Sequence, residues 1–140
     1  MVGSNTRTTT ERVNVLLVDD EPFQTELAKL NLEVSDPSLS IDLVYTARDA
    51  LAMLRKHPYD CVVSDYKMSG MNGIQLISEI RRFSNLSFIL YSGRGSDEIA
   101  SAALAAGADD YVEKESNLTH YRVLAKKIRQ AVHKKLVKFM

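Results

Sequence analysis

The sequence predicts an α/β fold in three layers, in which helices cover both faces of a parallel five-stranded sheet. Short apolar runs rich in β-branched residues alternate five times with segments whose apolar residues recur at helical spacing. Each apolar run stops abruptly at polar or acidic residues, which is typical of strands buried on both faces of a parallel sheet. A chain of 140 residues is long enough for one such domain.

The five apolar runs are predicted strands, joined by right-handed crossovers through the helices. They occupy residues 13–18, 41–45, 61–63, 88–91 and 111–112. The third run contains the single cysteine, Cys61, which we expect to be a buried core residue. One cysteine excludes an intramolecular disulfide and a cysteine-based zinc site.

The first predicted helix begins at Pro22, a residue that suits the first turn of a helix. Its apolar residues recur at spacings of three and four, at Phe23, Leu27, Leu30 and Val34. The sequence Asp-Pro-Ser at 36–38 then breaks the helix.

The later helices also carry start and stop signals. Thr46 can cap the second helix, which ends near His57, and Gly107 can close the fourth. The third follows a glycine-containing loop at 68–73. The last helix is predicted to start near Ser116 and Asn117 and to run toward the C-terminus.

The composition excludes several classes of protein. Eighteen basic and eighteen acidic side chains give zero net charge, so nothing global favours binding to nucleic acid or a membrane. No apolar run approaches the roughly 18 residues of a membrane span. Residues 1–11 are predicted to be a flexible N-terminal arm, and residues 12–140 the domain. The lone cysteine and the absence of a secretory signal favour a cytoplasmic location.

The charge is nevertheless separated along the chain. Residues 1–70 carry 11 acidic and 7 basic side chains, residues 71–140 carry 7 and 11, and the last twenty carry seven basic and none acidic. We interpret the basic segment as a solvated face of the last helix. The alternatives are a linker helix, or a dimer interface that pairs with acidic residues at Asp97, Glu98, Asp109 or Asp110.

Polar side chains follow four of the strands, at the sheet edge where ligands bind in such folds. Asp19 and Asp20 follow the first strand, Asp65 the third, Ser92 the fourth and Lys114 the fifth. Three carboxylates about 4 Å apart would repel by about 4 kcal/mol per pair at an effective dielectric of about 20. A cation relieves this, and oxygen ligands favour Mg²⁺ or Mn²⁺ over Zn²⁺. Asp20 could instead be only a helix cap.

The order and spacing of these pieces resemble the receiver domain of two-component response regulators, over residues 13–135. The matching pieces are Val18-Asp19-Asp20-Glu21, Asp65, Met71-Asn72-Gly73, Ser92-Gly93, Gly107-Ala108-Asp109-Asp110-Tyr111 and Lys114. The resemblance implies a flavodoxin-like (βα)5 sandwich with strand order 2-1-3-4-5.

The resemblance also implies residue roles. Asp65 is implied to be the phosphoacceptor for a phosphohistidine on a partner histidine kinase or phosphotransfer protein. Asp19, Asp20 and Asp65, with the backbone carbonyl of Lys67, are implied to hold the metal ion. Lys114 is implied to contact the phosphoryl group.

Two further pairs have implied roles. Ser92 and Tyr111 are the implied switch, in which the hydroxyl moves to the phosphoryl oxygens and the aromatic ring swings with it. Without the resemblance, an aromatic residue on an edge strand is more often a packing residue. Lys67 and Arg94 occupy variable positions that tune the lifetime of the phosphoryl group.

As a whole, the resemblance implies a signalling domain that catalyses its own phosphorylation and dephosphorylation, rather than an enzyme with a separate substrate. The segments at 92–95 and 110–114 resemble receivers that precede sensor and kinase modules in methanogenic archaea, which implies a longer signalling protein. A homodimer through the last two helices and the fifth strand is a possible assembly. Neither direct nucleic-acid binding nor a membrane partner is expected.

The sequence departs from the family pattern at two positions. Glu115 stands where the family usually has a proline after the lysine, which leaves open a trans peptide bond or a strained loop. We predict that Lys114 still points into the site. Ser69 stands where many members have a proline four residues after the phosphoacceptor, so we expect a more mobile loop there.

Three other functions fit parts of this sequence pattern less well. A flavin-binding electron carrier would need a phosphate-cradling loop after the first strand, where Asp19 and Asp20 would repel phosphate. An aspartyl-phosphate hydrolase usually has its nucleophile after the first strand, together with a capping insertion that the chain lacks. A degenerate receiver that only binds partners would not need the intact acidic set.

Overall fold

A single twisted sheet of five parallel strands forms the centre of the computed structural model, which describes residues 12–93 and 96–138. The strands are β1 (Val13–Val18), β2 (Leu39–Val44), β3 (Cys61–Ser64), β4 (Ser87–Ser92) and β5 (Asp110–Glu113). Their order is β2-β1-β3-β4-β5, and every pairing is parallel. The predicted fold class and strand order are confirmed. The predicted arm at 1–11 lies outside the described residues.

Five helices alternate with the strands and form the two outer layers. They are α1 (Pro22–Ser35), α2 (Ala47–Lys56), α3 (Gly73–Ile80), α4 (Asp97–Ala106) and α5 (His120–Lys138). Helices α1 and α5 pack on one face of the sheet, and α2, α3 and α4 pack on the other. Along β1, Val15 and Leu17 face the first layer while Leu16 and Val18 face the second, so both faces of the strand are buried.

The predicted caps at Thr46 and Gly107 form. The Thr46 hydroxyl accepts the amide hydrogen of Asp49 at 3.0 Å and starts α2. Gly107 ends α4 with φ of 115°, in the left-handed region that glycine adopts without strain. Pro22 occupies the first turn of α1 as expected. Cys61 is fully buried, as expected.

Helix α1 turns most of its large apolar side chains to solvent. Its buried residues are Thr25, Ala28 and Leu32. Its exposed apolar stripe, called the α1 stripe below, consists of Phe23 (79% exposed), Leu27, Leu30 and Val34 (73% exposed). The helical spacing of these residues identified the helix correctly, but the three buried residues between them face the sheet.

Helix α5 begins at His120, about one turn later than predicted. A turn at Leu118 and Thr119 precedes it, and the carbonyl of Asn117 is bonded to the His120 side chain instead of continuing the helix. None of the helices in the described part of the chain is long and apolar enough to cross a membrane.

Several basic side chains of α5 form ion pairs within the chain. Lys127 pairs with Asp110 at 3.3 Å, Lys135 pairs with Asp109 at 3.1 Å, and Arg129 pairs with Asp36. The basic helix is therefore partly neutralised by carboxylates of its own domain.

Candidate functional site

Asp19, Asp65 and Lys114 meet at the carboxyl edge of the sheet. They directly follow β1, β3 and β5, and the carboxyl ends of these strands lie at one edge of the sheet because all the strands are parallel. The Lys114 ammonium donates to Asp19 Oδ2 at 2.9 Å and to Asp65 Oδ2 at 3.1 Å. One cation therefore bridges the two carboxylates.

Backbone amides orient both carboxylates. Asp19 Oδ1 accepts the amide hydrogen of Glu21 at 3.0 Å, and Asp65 Oδ1 accepts that of Tyr66 at 2.7 Å. The Asp65 amide donates to the carbonyl of Val18 at 3.0 Å, which continues the β1–β3 ladder up to the site. Each carboxylate thus has one oxygen fixed by its own turn and the other directed at Lys114.

Lys114 points into the site, although Glu115 follows it. All peptide bonds of the described residues are trans, including the one between these two residues. The Lys114 amide donates to the carbonyl of Ser92 at 2.9 Å, which fixes its backbone beside β4. Burial alone would lower the pKa of Lys114, but hydrogen bonds and negative charge from Asp19 and Asp65 outweigh it and raise the pKa above its ordinary value.

Asp20 bonds to the loop after β3. Its Oδ2 accepts the Ser69 amide hydrogen at 2.8 Å and the Ser69 hydroxyl at 3.1 Å. Asp20 does not cap α1, whose N-cap residue is Glu21 and has no side-chain cap bond. The departure at Ser69 therefore ties the loop to Asp20 where we had expected mobility, since a proline has no amide hydrogen to donate.

An open cleft of about 670 Å³ connects the predicted site residues. Those that line it are Asp20, Asp65, Lys67, Ser92 and Lys114. Ser92 is buried as the last residue of β4, whereas the Lys67 side chain is exposed at the rim. Arg94, the second predicted tuning residue, lies outside the described residues.

Tyr111 lies on β5, the edge strand, with its ring half buried against the α2–α4 layer. Its hydroxyl is buried and has no hydrogen-bond partner within the described part of the chain. Burial raises the pKa of Tyr111, and the charges of Glu113 and Asp65 raise it further. A buried hydroxyl without a partner costs about 1–3 kcal/mol.

The oxygen donors around the cleft fit a hard divalent cation. Within 12–93 and 96–138, no three Asp, Glu, His or Cys side chains stand close enough together to hold a metal ion by themselves. The Lys114 ammonium bonds to Asp19 and Asp65, and the amide of Ser69 bonds to Asp20. Mg²⁺ needs only one or two carboxylates, because it keeps several waters and shares phosphate oxygens. Asp20 and Asp65 both line the cleft and meet that requirement.

Gly73 supports the site in a way that sequence reasoning did not explain. A Cβ at this first residue of α3 would lie 2.3 Å from the carbonyl oxygen of Asp65 and 2.6 Å from Leu90 Cδ1. Only glycine lets α3 approach the backbone of Asp65 this closely. The available sequence signal was Met71-Asn72-Gly73, which matches the family pattern. That match alone does not give the steric reason for the glycine.

Tyr91 and His120 are the other residues that sequence reasoning did not assign to the site. The ring centroid of Tyr91 lies 5.2 Å from the Lys114 ammonium, and the Tyr91 hydroxyl bonds to His120. No local pattern links two residues 29 positions apart. The alternation of β4 alone would have indicated that Tyr91 and Ser92 face opposite sides of the sheet.

Comparison with known proteins agrees with the fold and shows the family. The family model of the response regulator receiver domain matches residues 15–129. The response regulator GtcR of Aneurinibacillus migulanus is 35% identical over 74% of this chain and 42% of its own length. The transcriptional regulatory protein YvrH of Bacillus subtilis is 31% identical over 76% of this chain and 45% of its own length. The chain thus spans less than half the length of these curated relatives.

A solved structure supports the same assignment. The CheY-like response regulator receiver domain protein of Methanospirillum hungatei superimposes with a TM-score of 0.79 at 25% identity, over 91% of this chain and 99% of that one. Response regulators of this kind accept a phosphoryl group on an aspartate from a histidine kinase, and receiver domains generally need Mg²⁺ for it. The chain belongs to the receiver domain family of two-component response regulators.

Proposed function

We propose that Asp65 of this chain is the aspartate that accepts the phosphoryl group. The observation that carries the proposal is the bridge from Lys114 to Asp65, at 3.1 Å, beside an open cleft that Asp65 itself lines. A carboxylate nucleophile forms an aspartyl phosphate when its oxygen attacks phosphorus. Here Asp65 Oδ would form the new P–O bond while the P–N bond to the donor histidine breaks, and the imidazole leaves with the electron pair and takes up a proton.

Positioning and charge neutralisation do most of the work in phosphoryl transfer. The ammonium of Lys114 supplies one positive charge beside the attacking carboxylate. It can then contact the phosphoryl oxygens as negative charge develops on them. Tyr66 supports the reaction through its amide hydrogen, which holds Asp65 Oδ1 at 2.7 Å and leaves Oδ2 toward Lys114. These groups are fixed before the donor arrives, which is what gives such contacts their effect on rate.

The metal ion of this proposal is Mg²⁺ or Mn²⁺, held by Asp19, Asp20, Asp65 and the backbone carbonyl of Lys67. When bound, it supplies positive charge to the phosphoryl oxygens. Lys114 and Asp20 can then act separately, on the phosphoryl group and on the metal ion, because Lys114 reaches Asp65 from the end of β5 while Asp20 reaches the cleft from the β1–α1 turn.

The proposed switch consists of Ser92 and Tyr111. Ser92 lines the cleft at the end of β4, so its hydroxyl is placed to bond a phosphoryl oxygen on Asp65. Tyr111 lies on the neighbouring strand β5, opposite Leu90 of β4. Its hydroxyl has no hydrogen-bond partner among the described residues, so none of them holds it in place. A charge change at Asp65 would thereby alter the surface around β5.

The phosphodonor is proposed to dock against α1. Its phosphohistidine has to reach Asp65, so it must cover the surfaces that border the cleft. A groove of about 360 Å³ runs from Lys114 to Phe23 and Leu27 of the α1 stripe, and exposed Leu118 flanks it. Apolar side chains exposed in a row next to a reaction site indicate a protein-binding surface.

The remaining partners are also proposals. A homodimer could use the exposed side chains of Leu104 on α4 and Val123 on α5. We do not expect direct contact with nucleic acid, because Lys127, Arg129 and Lys135 of α5 pair with carboxylates of the chain. A cytoplasmic location, a role within a longer signalling protein and tuning of the phosphoryl lifetime by Lys67 belong to the same proposal.

The proposed function is tested by binding of beryllofluoride, a phosphoryl mimic, in the presence of Mg²⁺. The wild-type protein should bind it and Asp65→Asn should not, because the mimic needs the carboxylate oxygen. Asp49→Asn, an exposed aspartate on α2, is the matched control and should bind normally. Binding that persists in Asp65→Asn would contradict the assignment of Asp65.

Assays on the same wild-type protein distinguish the proposed function from the two alternatives, a degenerate receiver and an aspartyl-phosphate hydrolase. A degenerate receiver would bind no beryllofluoride with any variant. An aspartyl-phosphate hydrolase would release phosphate from an added phosphomonoester, whereas a receiver that takes its phosphoryl group from a phosphohistidine or an acyl phosphate should release none from it.

A further inference from the structure

His120 is a buried histidine whose two ring nitrogens both have partners. Nδ1 is 2.5 Å from the carbonyl oxygen of Asn117, and Nε2 is 2.5 Å from the hydroxyl of Tyr91. A carbonyl oxygen only accepts, so Nδ1 carries the hydrogen. In the neutral ring, Nε2 then accepts the hydroxyl hydrogen of Tyr91. His120 is 7% exposed and Tyr91 is 4% exposed.

Tyr91 connects this pair to the reaction site. It precedes Ser92 on β4 and lies in the layer that contains α1 and α5. Its ring centroid is 5.2 Å from the ammonium of Lys114, within the range of a cation–π contact. The Lys114 ammonium is thus held between one aromatic face and the carboxylates of Asp19 and Asp65.

The loop that carries Lys114 into α5 is supported mainly at its two ends. Residues 115–119 are all exposed. In the described part of the chain, their side chains hydrogen-bond only within the loop, from Asn117 to Glu115 and from Thr119 to Asn117. The Lys114 amide on Ser92 anchors the start of the loop. The end is anchored by His120 on the Asn117 carbonyl and by amides of the first turn of α5 on the carbonyls of residues 118 and 119.

We propose that Tyr91 and His120 are positioning residues that hold Lys114 over the phosphoacceptor. The proposal rests on the proposed role of Lys114 in phosphoryl transfer. His120 fixes the far end of the loop and, through the Tyr91 hydroxyl, fixes the ring on which the ammonium of Lys114 lies. The lysine therefore keeps its direction toward Asp65, although the loop behind it is exposed and lacks the proline that usually follows this lysine.

The variants remove these contacts in steps. Tyr91→Phe keeps the ring beside Lys114 and deletes the contacts of the hydroxyl with His120 and with Tyr121, while Tyr91→Leu deletes the ring as well. His120→Phe keeps an aromatic ring and deletes both of its hydrogen bonds. Tyr59→Phe is the matched control, because the Tyr59 hydroxyl bonds to Asp42, far from the cleft.

The first measurement is the affinity for beryllofluoride with saturating Mg²⁺, in wild-type and Lys114→Met backgrounds. A misplaced charged group near a reacting atom weakens such contacts by about tenfold or more. Tyr91→Leu should therefore weaken binding about tenfold when Lys114 is present and change it by less than about twofold when Lys114 is absent. Tyr91→Phe and His120→Phe should give smaller losses of the same kind, and Tyr59→Phe none.

The second measurement needs no ligand. The ¹⁵N chemical shifts of the His120 ring should show a hydrogen on Nδ1, and the Nε2 signal should move in Tyr91→Phe. His120→Phe identifies the signal among the three histidines of the chain.

Each outcome decides the proposal. An equal loss of affinity in both lysine backgrounds would mean that Tyr91 only supports the fold, and no loss in any variant would mean that the pair does not position Lys114. A ring that carries no hydrogen on Nδ1 would contradict the bond of His120 to the Asn117 carbonyl. Failure of the wild type to bind the mimic would instead contradict the proposed function, and the role of the pair with it.

Discussion

The ammonium of Lys114 lies 3.1 Å from the carboxylate of Asp65, although the two residues are 49 positions apart in the chain. The contact forms because β3 and β5 are parallel strands that end at the same edge of the sheet. The same ammonium contacts Asp19 at 2.9 Å, so a single cation neutralises part of an acidic site before any phosphoryl group arrives. That arrangement favours a reaction in which negative charge is added at Asp65.

Asp36 should make stability depend on pH at the acidic end. Burial raises the pKa of Asp36, but hydrogen bonds from Ser38 and Arg129 outweigh it and hold the pKa below its ordinary value of 3.8. Because the folded-state pKa is the lower one, this contribution to the free energy of unfolding is full above the ordinary pKa and is lost as pH falls through the folded-state value.

We therefore expect Asp36→Asn to lower the free energy of unfolding by about 1 kcal/mol at pH 7, since Arg129 is partly exposed and solvent weakens the pair. In urea titrations the difference in the free energy of unfolding between this variant and the wild type should disappear below pH 4. Glu26→Gln, an exposed change on α1, is the control and should show no such difference. A difference that stays constant down to pH 2 would show that Asp36 is not stabilised by these contacts.

Gly73→Ala should destabilise the fold and disturb the phosphoacceptor together. Its Cβ would lie 2.3 Å from the Asp65 carbonyl oxygen, so either α3 or the Asp65 backbone must shift. Overpacking of this kind costs about 1–3 kcal/mol. Urea denaturation measures it, and beryllofluoride affinity should fall in the same variant.

Gly93→Ala is the matched control for stability, because a Cβ there would lie 3.8 Å from Lys114, an ordinary contact. If Gly73→Ala proved as stable as Gly93→Ala, the close approach of α3 to Asp65 would be refuted.

Tyr111→Phe should stabilise the protein. The variant removes a buried hydroxyl that has no partner among the described residues. Relief of that cost should raise the free energy of unfolding by about 1 kcal/mol. Tyr59→Phe should do the reverse by about 0.5–1 kcal/mol, because it deletes a bond of 2.5 Å to Asp42. Thermal unfolding of the two variants side by side measures both signs, and a destabilised Tyr111→Phe would mean that the hydroxyl is bonded in solution.

Local rules and topology predicted much of this molecule from sequence. The apolar run before Asp19 predicted β1, and the rule that ligands bind at strand ends placed Asp65 and Lys114 together. Both inferences depend on neighbours in sequence or on parallel strand ends, which are the same throughout this fold class. Thr46 and Gly107 marked helix ends for the same reason, since capping is a local interaction.

Features that depend on packing between distant elements could not be predicted. Helical spacing identified α1, but Ala28 and Leu32 rather than Phe23 and Leu30 face the sheet, because α1 packs closely against β1 and α5. The bond from Ser69 to Asp20 spans 49 positions, and no property of either residue alone indicates it.

A substitution in the α1 stripe should slow phosphotransfer from the phosphodonor protein. It should leave the stability of the chain and its reaction with a small phosphodonor unchanged. Leu30→Glu places a charge in the stripe at an exposed position, so the free energy of unfolding should change by less than about 0.5 kcal/mol. Phosphotransfer from a histidine kinase that phosphorylates the wild type should slow by about tenfold or more, since apolar anchors at the centre of an interface carry most of its binding energy.

Leu136→Glu near the end of α5 is the control, with a similarly exposed leucine away from the groove. Phosphorylation by a small acyl phosphate should be the same in all three proteins. Equal slowing by Leu136→Glu, or slowing with the small donor, would contradict docking on α1.

The central claim is that Asp65 takes the phosphoryl group with help from Lys114. Intact-protein mass spectrometry after incubation with Mg²⁺ and an acyl phosphate tests it most directly, followed by localisation of the modified residue. The wild type should gain one phosphoryl group at Asp65, Asp65→Asn should gain none, and Lys114→Met should react about a hundredfold more slowly. A phosphoryl group on another residue, or one that Asp65→Asn acquires as readily as the wild type, would contradict it.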